Sequence, residues 1–172
     1  NRFIPMALEK GAAAVVTAKK PDGDFPYILV ESDRMALAML GINFFGKPAE
    51  SMTMIGVTGT NGKTSSTLLL KQVLEKTLGV KVGLIGTMAN QIGEESIPTE
   101  RTTPESFELY GLLRQMRDGG CTHVVMEVSS QGLMLHRTEV FIFDYGILTN
   151  LEADHIGQGE HTSFEHYISC KS

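Results

Sequence analysis

Apolar residues fall along the second two-thirds of this chain in short continuous runs, alternating with longer stretches of helical spacing. The runs at 53–58, 81–86, 122–128 and 144–149 read as strands, the first of them a buried one from Met54 to Val57. Between and after them, 63–78, 104–118, 130–136 and 163–171 read as helices. Strand–helix–strand rhythm predicts α/β architecture, with a parallel sheet and crossover helices. Residues 87–101 are polar, contain Gly93, and predict a surface loop or hairpin. Residues 1–50 follow a separate pattern. A short helix over 3–10 ends at Gly11, a small strand spans 13–17, and Pro21-Asp22-Gly23-Asp24 makes a turn. A second strand spans 27–30. The next helix, capped by Ser32 or Asp33, runs through Met35, Leu37, Met39, Leu40 and Phe44 to a stop at Gly46 and Pro48. The linker 46–51 then predicts a domain boundary near residue 50.

The strand-to-helix junction Ile55-Gly56-Val57-Thr58-Gly59-Thr60-Asn61-Gly62-Lys63-Thr64-Ser65 carries the clearest chemistry. Glycines at 59 and 62 let backbone N–H groups turn into the loop, and the helix N-terminus adds a dipole that favours phosphate. Lys63 would reach the terminal phosphates and the Thr64 hydroxyl would hold magnesium. Val57 stands where the strict G-x-x-x-x-G-K-[ST] template has its first glycine. The plain alternative is a strand–turn–helix with a surface lysine. The expectation is ATP binding through Thr58, Gly59, Thr60, Asn61, Gly62, Lys63, Thr64 and Ser65. Glu127, near the end of another apolar run, sits where a magnesium ligand is wanted; the alternative is a solvent-facing edge glutamate.

Composition narrows the partners. A net charge of −5 with no basic stripe argues against nucleic acid. No apolar run approaches the roughly 20 residues that span a bilayer, and no signal peptide is visible, so no membrane partner and a cytoplasmic location are expected. Cys121 and Cys170 fit no metal spacing and read as free thiols. The spacing of His136, His155, His161 and His166 fits no common zinc pattern either. The chain opens on Asn1 and ends at Ser172 directly after a helical pattern, so it is expected to be a fragment.

The loop Thr-Gly-Thr-Asn-Gly-Lys-Thr resembles the nucleotide loop of the Mur ligases and of their relatives, the folylpolyglutamate synthetases. Glu127-Val128-Ser129-Ser130 resembles the Glu-Val-Ser-Ser-His segment of the Mur ligases acting on UDP-muramoyl-dipeptide, with Gln131 in place of the histidine. In that family the glutamate holds magnesium and the first serine contacts substrate, which implies those roles for Glu127 and Ser129. Thr102 and Thr103 match a substrate-contacting Thr-Thr pair; read on their own, either caps a helix whose first residue is Pro104. Arg137 matches a substrate-binding arginine, with Leu135 where the family has glutamine. Asn150-Leu151-Glu152-Ala153-Asp154-His155 is similar to the segment whose histidine binds a second magnesium, and Asn150 joins the nucleotide set. Lys171, four residues after Tyr167, matches a lysine carbamylated by CO2, which turns a cation into an oxygen donor; without that context it is a solvated cation at a helix end.

The resemblance implies a partial P-loop ATPase domain over 51–172, preceded by the tail of a small α/β uridine-binding domain over 1–50. It implies an ATP-dependent ligase that adds a third residue, lysine or meso-diaminopimelate, to UDP-N-acetylmuramoyl-L-alanyl-D-glutamate through an acyl phosphate. The implied catalytic set is Lys63, Glu127, His155 and Lys171. Two magnesium ions would be held by Thr64 with Glu127 and by His155 with carbamylated Lys171. A folylpolyglutamate synthetase-like ligase and a nucleotide-binding module or ATPase without ligase activity are the competing readings.

Overall fold

The computed structural model describes residues 2–152 and 162–170. After a short helix α1 (Ile4–Glu9), strands β1 (Val15–Thr17) and β2 (Tyr27–Leu29) form a two-stranded parallel sheet. Helix α2 (Asp33–Phe44) starts where Ser32 accepts a hydrogen bond from Met35 N. That bond satisfies one of the donors a helix start leaves open. Its Gly41 lies against the Tyr110 and Phe107 side of a later helix, leaving no room for a side chain.

The larger sheet contains β3 (Thr53–Thr58), β4 (Val82–Ile85), β5 (Asn90–Ile92), β6 (Glu95–Ile97), β7 (His123–Glu127) and β8 (Tyr145–Leu148), in the order β6-β5-β4-β7-β3-β8. The four longest strands are parallel; β5 and β6 join antiparallel at the β4 edge. The polar stretch at 87–101 is therefore a hairpin that extends the sheet. Gly93 takes a positive φ of 62° at its turn, a conformation that favours glycine. The connecting helices are α3 (Lys63–Leu78), α4 (Ser106–Asp118) and α5 (Ser130–Met134), with α6 (Phe164–Ser169) after β8.

Strand alternation divides the core into two layers. On one face Met54, Ile85, Val124 and Met126 pack with Leu109, Tyr110, Leu113 and Met116 of α4. On the other, Ile55, Val57, Val82, Leu84 and Val125 pack against Leu68, Leu70 and Leu74 of α3. Because side chains alternate along a strand, Glu127 shares the α3 face with Val125.

Helix α4 begins two residues later than Pro104, with Glu105 as an N-cap that makes no side-chain cap bond. Neither threonine caps it, because the Thr103 hydroxyl is spent on Glu127 O and Ser129 N. Among the described residues no helix is long and apolar enough to cross a membrane.

Candidate nucleotide and acceptor site

Register brings the two chemical motifs together. Strands β3 and β7 pair Val57 with Glu127, so the carboxylate emerges beside the loop that leaves β3. That loop is held open by its glycines. Gly59 has φ 142°, and a Cβ there would collide with Thr149 Oγ1; Gly62 has φ 83° and is the N-cap of α3. A glycine N-cap supplies no side-chain acceptor, so the first turn of this sixteen-residue helix has no side-chain cap. Its open amides and dipole are suited to an anion.

The loop is tied down from β8 and α6. Asn150 Oδ1 accepts from Asn61 N at 2.9 Å while its Nδ2 donates to Asn61 O at 3.1 Å. Thr149 Oγ1 donates to the same carbonyl at 2.7 Å. Thr60 Oγ1 donates to Glu152 O, accepts from Glu152 N, and lies 2.9 Å from the buried Tyr167 hydroxyl. Thr58 Oγ1 donates to Val128 O, locking the last residue of β3 to the residue just past β7. Ser65 is exposed on the first turn of α3.

Lys63 Nζ folds back to donate to Gly59 O at 2.8 Å and Thr60 O at 2.9 Å. Its ammonium thus lies over the loop that would wrap the phosphates. Glu127 is only 1% exposed, so it is no edge glutamate. Its Oε2 accepts from Thr64 Oγ1 at 3.0 Å and Thr87 Oγ1 at 3.2 Å, and its Oε1 from Thr87 N at 2.9 Å. A buried carboxylate beside a hydroxyl, at the mouth of a glycine cradle, is a hard-oxygen donor set suited to magnesium with phosphate. The chain's own residues therefore fit a magnesium nucleotide.

A cavity of about 380 Å³ opens from this point, and Lys63, Arg101, Thr102, Ser129 and Arg137 line it. Its far wall is braced by ion pairs. Arg137, 6% exposed, donates through Nη1 to Thr103 O at 2.9 Å and through Nη2 to Glu105 Oε1 at 2.7 Å. Arg34 of α2 takes the other Glu105 oxygen at 3.1 Å. Burial alone would raise the Glu105 carboxyl, but the two guanidiniums hold it below its ordinary value of 4.5. Arg137 Nε has no partner among the described residues, leaving one donor unspent beside the cavity.

The phosphate loop, Glu127, Thr102, Ser129 and Arg137 therefore meet at one rim, at the carboxyl ends of the parallel strands. Thr103 belongs to its wall and is 0% exposed. His155 and Lys171 lie outside the described residues. Thr87 and Tyr167 carry contacts that motif reading passed over. Thr87 lies two residues past the end of β4, and its one sequence signal is that place beyond a strand end, where the other motifs also sit; Tyr167 enters the sequence pattern only as the residue from which Lys171 is counted.

Residues 57–172 match the family model described as Mur ligase middle domain. The chain belongs to the Mur ligase family. A UDP-N-acetylmuramoyl-L-alanyl-D-glutamate–2,6-diaminopimelate ligase of Clostridium tetani (strain Massachusetts / E88) is 44% identical to this Mur ligase chain over 176 residues, covering 99% of the chain and 36% of that protein. The corresponding ligase 1 of Clostridium acetobutylicum is 46% identical over 171 residues, covering 98% and 35%. A solved UDP-N-acetylmuramoyl-L-alanyl-D-glutamate–2,6-diaminopimelate ligase superposes with a TM-score of 0.85 at 25% identity, over 99% of this chain and 34% of its own. The MurF ligase of Thermotoga maritima in complex with ADP gives 0.58 at 25% identity, over 99% and 35%. The chain spans about a third of the length of the curated relatives it matches.

Proposed function

We propose that this chain carries the nucleotide-binding part of an ATP-dependent ligase. The enzyme would join a diamino acid to the D-glutamyl end of UDP-N-acetylmuramoyl-L-alanyl-D-glutamate. The observation that carries this reading is the junction of two half-sites: Thr64 and Glu127 share a hydrogen bond at the phosphate loop, and Lys63 lines one cavity with Thr102, Ser129 and Arg137. The names of the relatives supply the acceptor and point to diaminopimelate as the added residue. On this reading, residues 1–50 are the tail of the uridine-binding domain and 51–172 open the ATP-binding domain. The protein works in the cytoplasm, where UDP-sugar, ATP and diamino acid are its partners.

Thr64 and Glu127 would hold one magnesium ion, with His155 and carbamylated Lys171 assigned to a second. Bound magnesium would offset charge on the transferring phosphoryl group. The open amides of the first turn of α3, set by a loop that Asn150, Thr149 and Thr60 hold in place, would hold the phosphates without reorganising. Lys63 would exchange its two loop carbonyls for the terminal phosphate. Across the cavity, Ser129 and Arg137 would orient the acceptor so that its carboxylate lies in line, and positioning of this kind accounts for much of the rate.

The full-length protein should convert UDP-muramoyl-dipeptide, ATP and meso-diaminopimelate to a product whose mass has grown by one diaminopimelate residue. Phosphate release that ignores both acceptor and amine would leave only an ATPase. Turnover with a folate acceptor in place of the muramoyl one would move the protein to the synthetase branch.

A further inference from the structure

Three hydroxyls face or border the acceptor half of the cavity, and their hydrogen bonds leave each with a different capacity. Thr103 Oγ1 donates to Glu127 O and accepts from Ser129 N, so it is spent. Ser129 Oγ accepts from Gly132 N at 3.0 Å and has no acceptor among the described residues, so its proton is available. Thr102 is set by its neighbour. Thr87 Oγ1 lies 3.2 Å from Glu127 Oε2 and 2.9 Å from Thr102 Oγ1. A carboxylate only accepts, and a hydroxyl has one proton. The Thr87 proton therefore goes to Glu127, and Thr102 must donate to Thr87. The relay runs one way, from Thr102 through Thr87 to Glu127, and Thr102 offers only lone pairs to the cavity.

From this geometry we infer that Thr87 is a positioning residue that couples the acceptor subsite to the metal-nucleotide subsite. The inference rests on the ligase reading above. An acceptor N–H or hydroxyl seated on Thr102 fixes the threonine, and the relay passes that order to the Glu127 carboxylate. An acceptor that keeps the Thr87 hydroxyl on Glu127 Oε2 keeps that oxygen aimed for the cation, and a cation on Glu127 keeps the relay aligned for the acceptor, so each ligand tightens the other. By linkage the factor is the same whichever binds first. Thr102 also selects: it takes a donor from the acceptor's sugar or peptide and rejects a carboxylate oxygen, which goes to Ser129 or Arg137 instead.

The test is calorimetric titration of the full-length protein with magnesium–ADP and with UDP-N-acetylmuramoyl-L-alanyl-D-glutamate, each alone and in the presence of the other. Wild type should show mutual tightening of about fivefold or more. Thr87→Val keeps the backbone bond to Glu127 Oε1 and alters an exposed position, so it should fold and bind both ligands with the coupling near one. Thr87→Ser restores the hydroxyl and should restore the coupling. Thr102→Val breaks the relay at its other end and should also lose coupling, with weaker acceptor binding and unchanged binding of magnesium–ADP alone. Coupling retained in Thr87→Val, lost equally in Thr87→Ser, or absent from wild type overturns the inference while the ligase reading stands. A wild-type protein that binds neither ligand removes both.

Discussion

The two halves of the cavity are built on opposite plans. The nucleotide half is backbone: glycines at 59 and 62, open amides at the start of α3, and side chains such as Asn150 and Thr149 that serve the loop's own peptide groups. The acceptor half is built by side chains that reach across the chain: the Thr103 hydroxyl to Glu127 O and Ser129 N, the Arg137 guanidinium to Thr103 O and Glu105, and Arg34 to Glu105. Equal prominence in a motif does not mean equal duty. Lys63 lies where ligand charge would be, whereas Thr103 holds the wall on which Thr102 and Ser129 stand. Substitutions in the two halves should therefore fail differently.

The largest separation should come from Lys63→Ala. It removes the ammonium over the phosphate loop and should lower the turnover of the full-length enzyme by about 10²–10³-fold or more at saturating acceptor. Its thermal stability should fall far less than its turnover, by no more than the loss of two hydrogen bonds to Gly59 O and Thr60 O, each worth about 0.5–1.5 kcal/mol. Near-normal phosphoryl transfer would remove Lys63 from the chemistry.

Thr103→Val should do the reverse. The side chain is buried and its shape is kept, but Glu127 O and Ser129 N lose their partner. Leaving such groups unpaired costs about 1–3 kcal/mol. Chemical denaturation should show that loss while magnesium–nucleotide affinity is unchanged. A variant as stable as wild type but unable to bind acceptor would make Thr103 a ligand contact instead.

Much of this arrangement was legible before any coordinates. Helix α3 spans the predicted 63–78 because Gly62 and Gly79 bound a helical spacing of Leu68, Leu70 and Leu74, and β3 spans the predicted 53–58 because its apolar run breaks at Gly59. The phosphate loop is equally local, since its geometry follows from the order of its own residues. The acceptor wall was harder because its bonds cross the chain. Nothing near Thr103 in sequence says that its hydroxyl is taken by Glu127 and Ser129, so the local rule assigned it to a helix cap. Arg137 likewise meets Glu105, 32 positions away. Thr87 was passed over because a lone threonine after a strand carries no motif. Its meaning appears only when β4 and β7 pair, with Ile85 against Met126.

The smallest effect should be a dependence on acid. Glu105 has its folded carboxyl below 4.5, so the stability it contributes is complete above that pH and is lost as pH falls through the lower folded value. Melting temperature followed from neutral pH to below 4.5 should show this loss in wild type. Arg137→Met, which leaves only the exposed Arg34 partner, should be less stable at neutral pH and should lose less in the acid limb. An identical acid limb in both would mean that the pair does not brace the wall.

The proposed ligase chemistry requires one metal-bound nucleotide between the glycine loop and Glu127. A crystal structure of the protein with magnesium and a non-hydrolysable ATP analogue tests it most directly. Phosphates should lie on the open amides of α3, with Thr64 Oγ1 and Glu127 Oε2 turned from each other onto the same ion. A nucleotide bound elsewhere, or an ion on the phosphates with Glu127 still bonded only to Thr64 and Thr87, would contradict it.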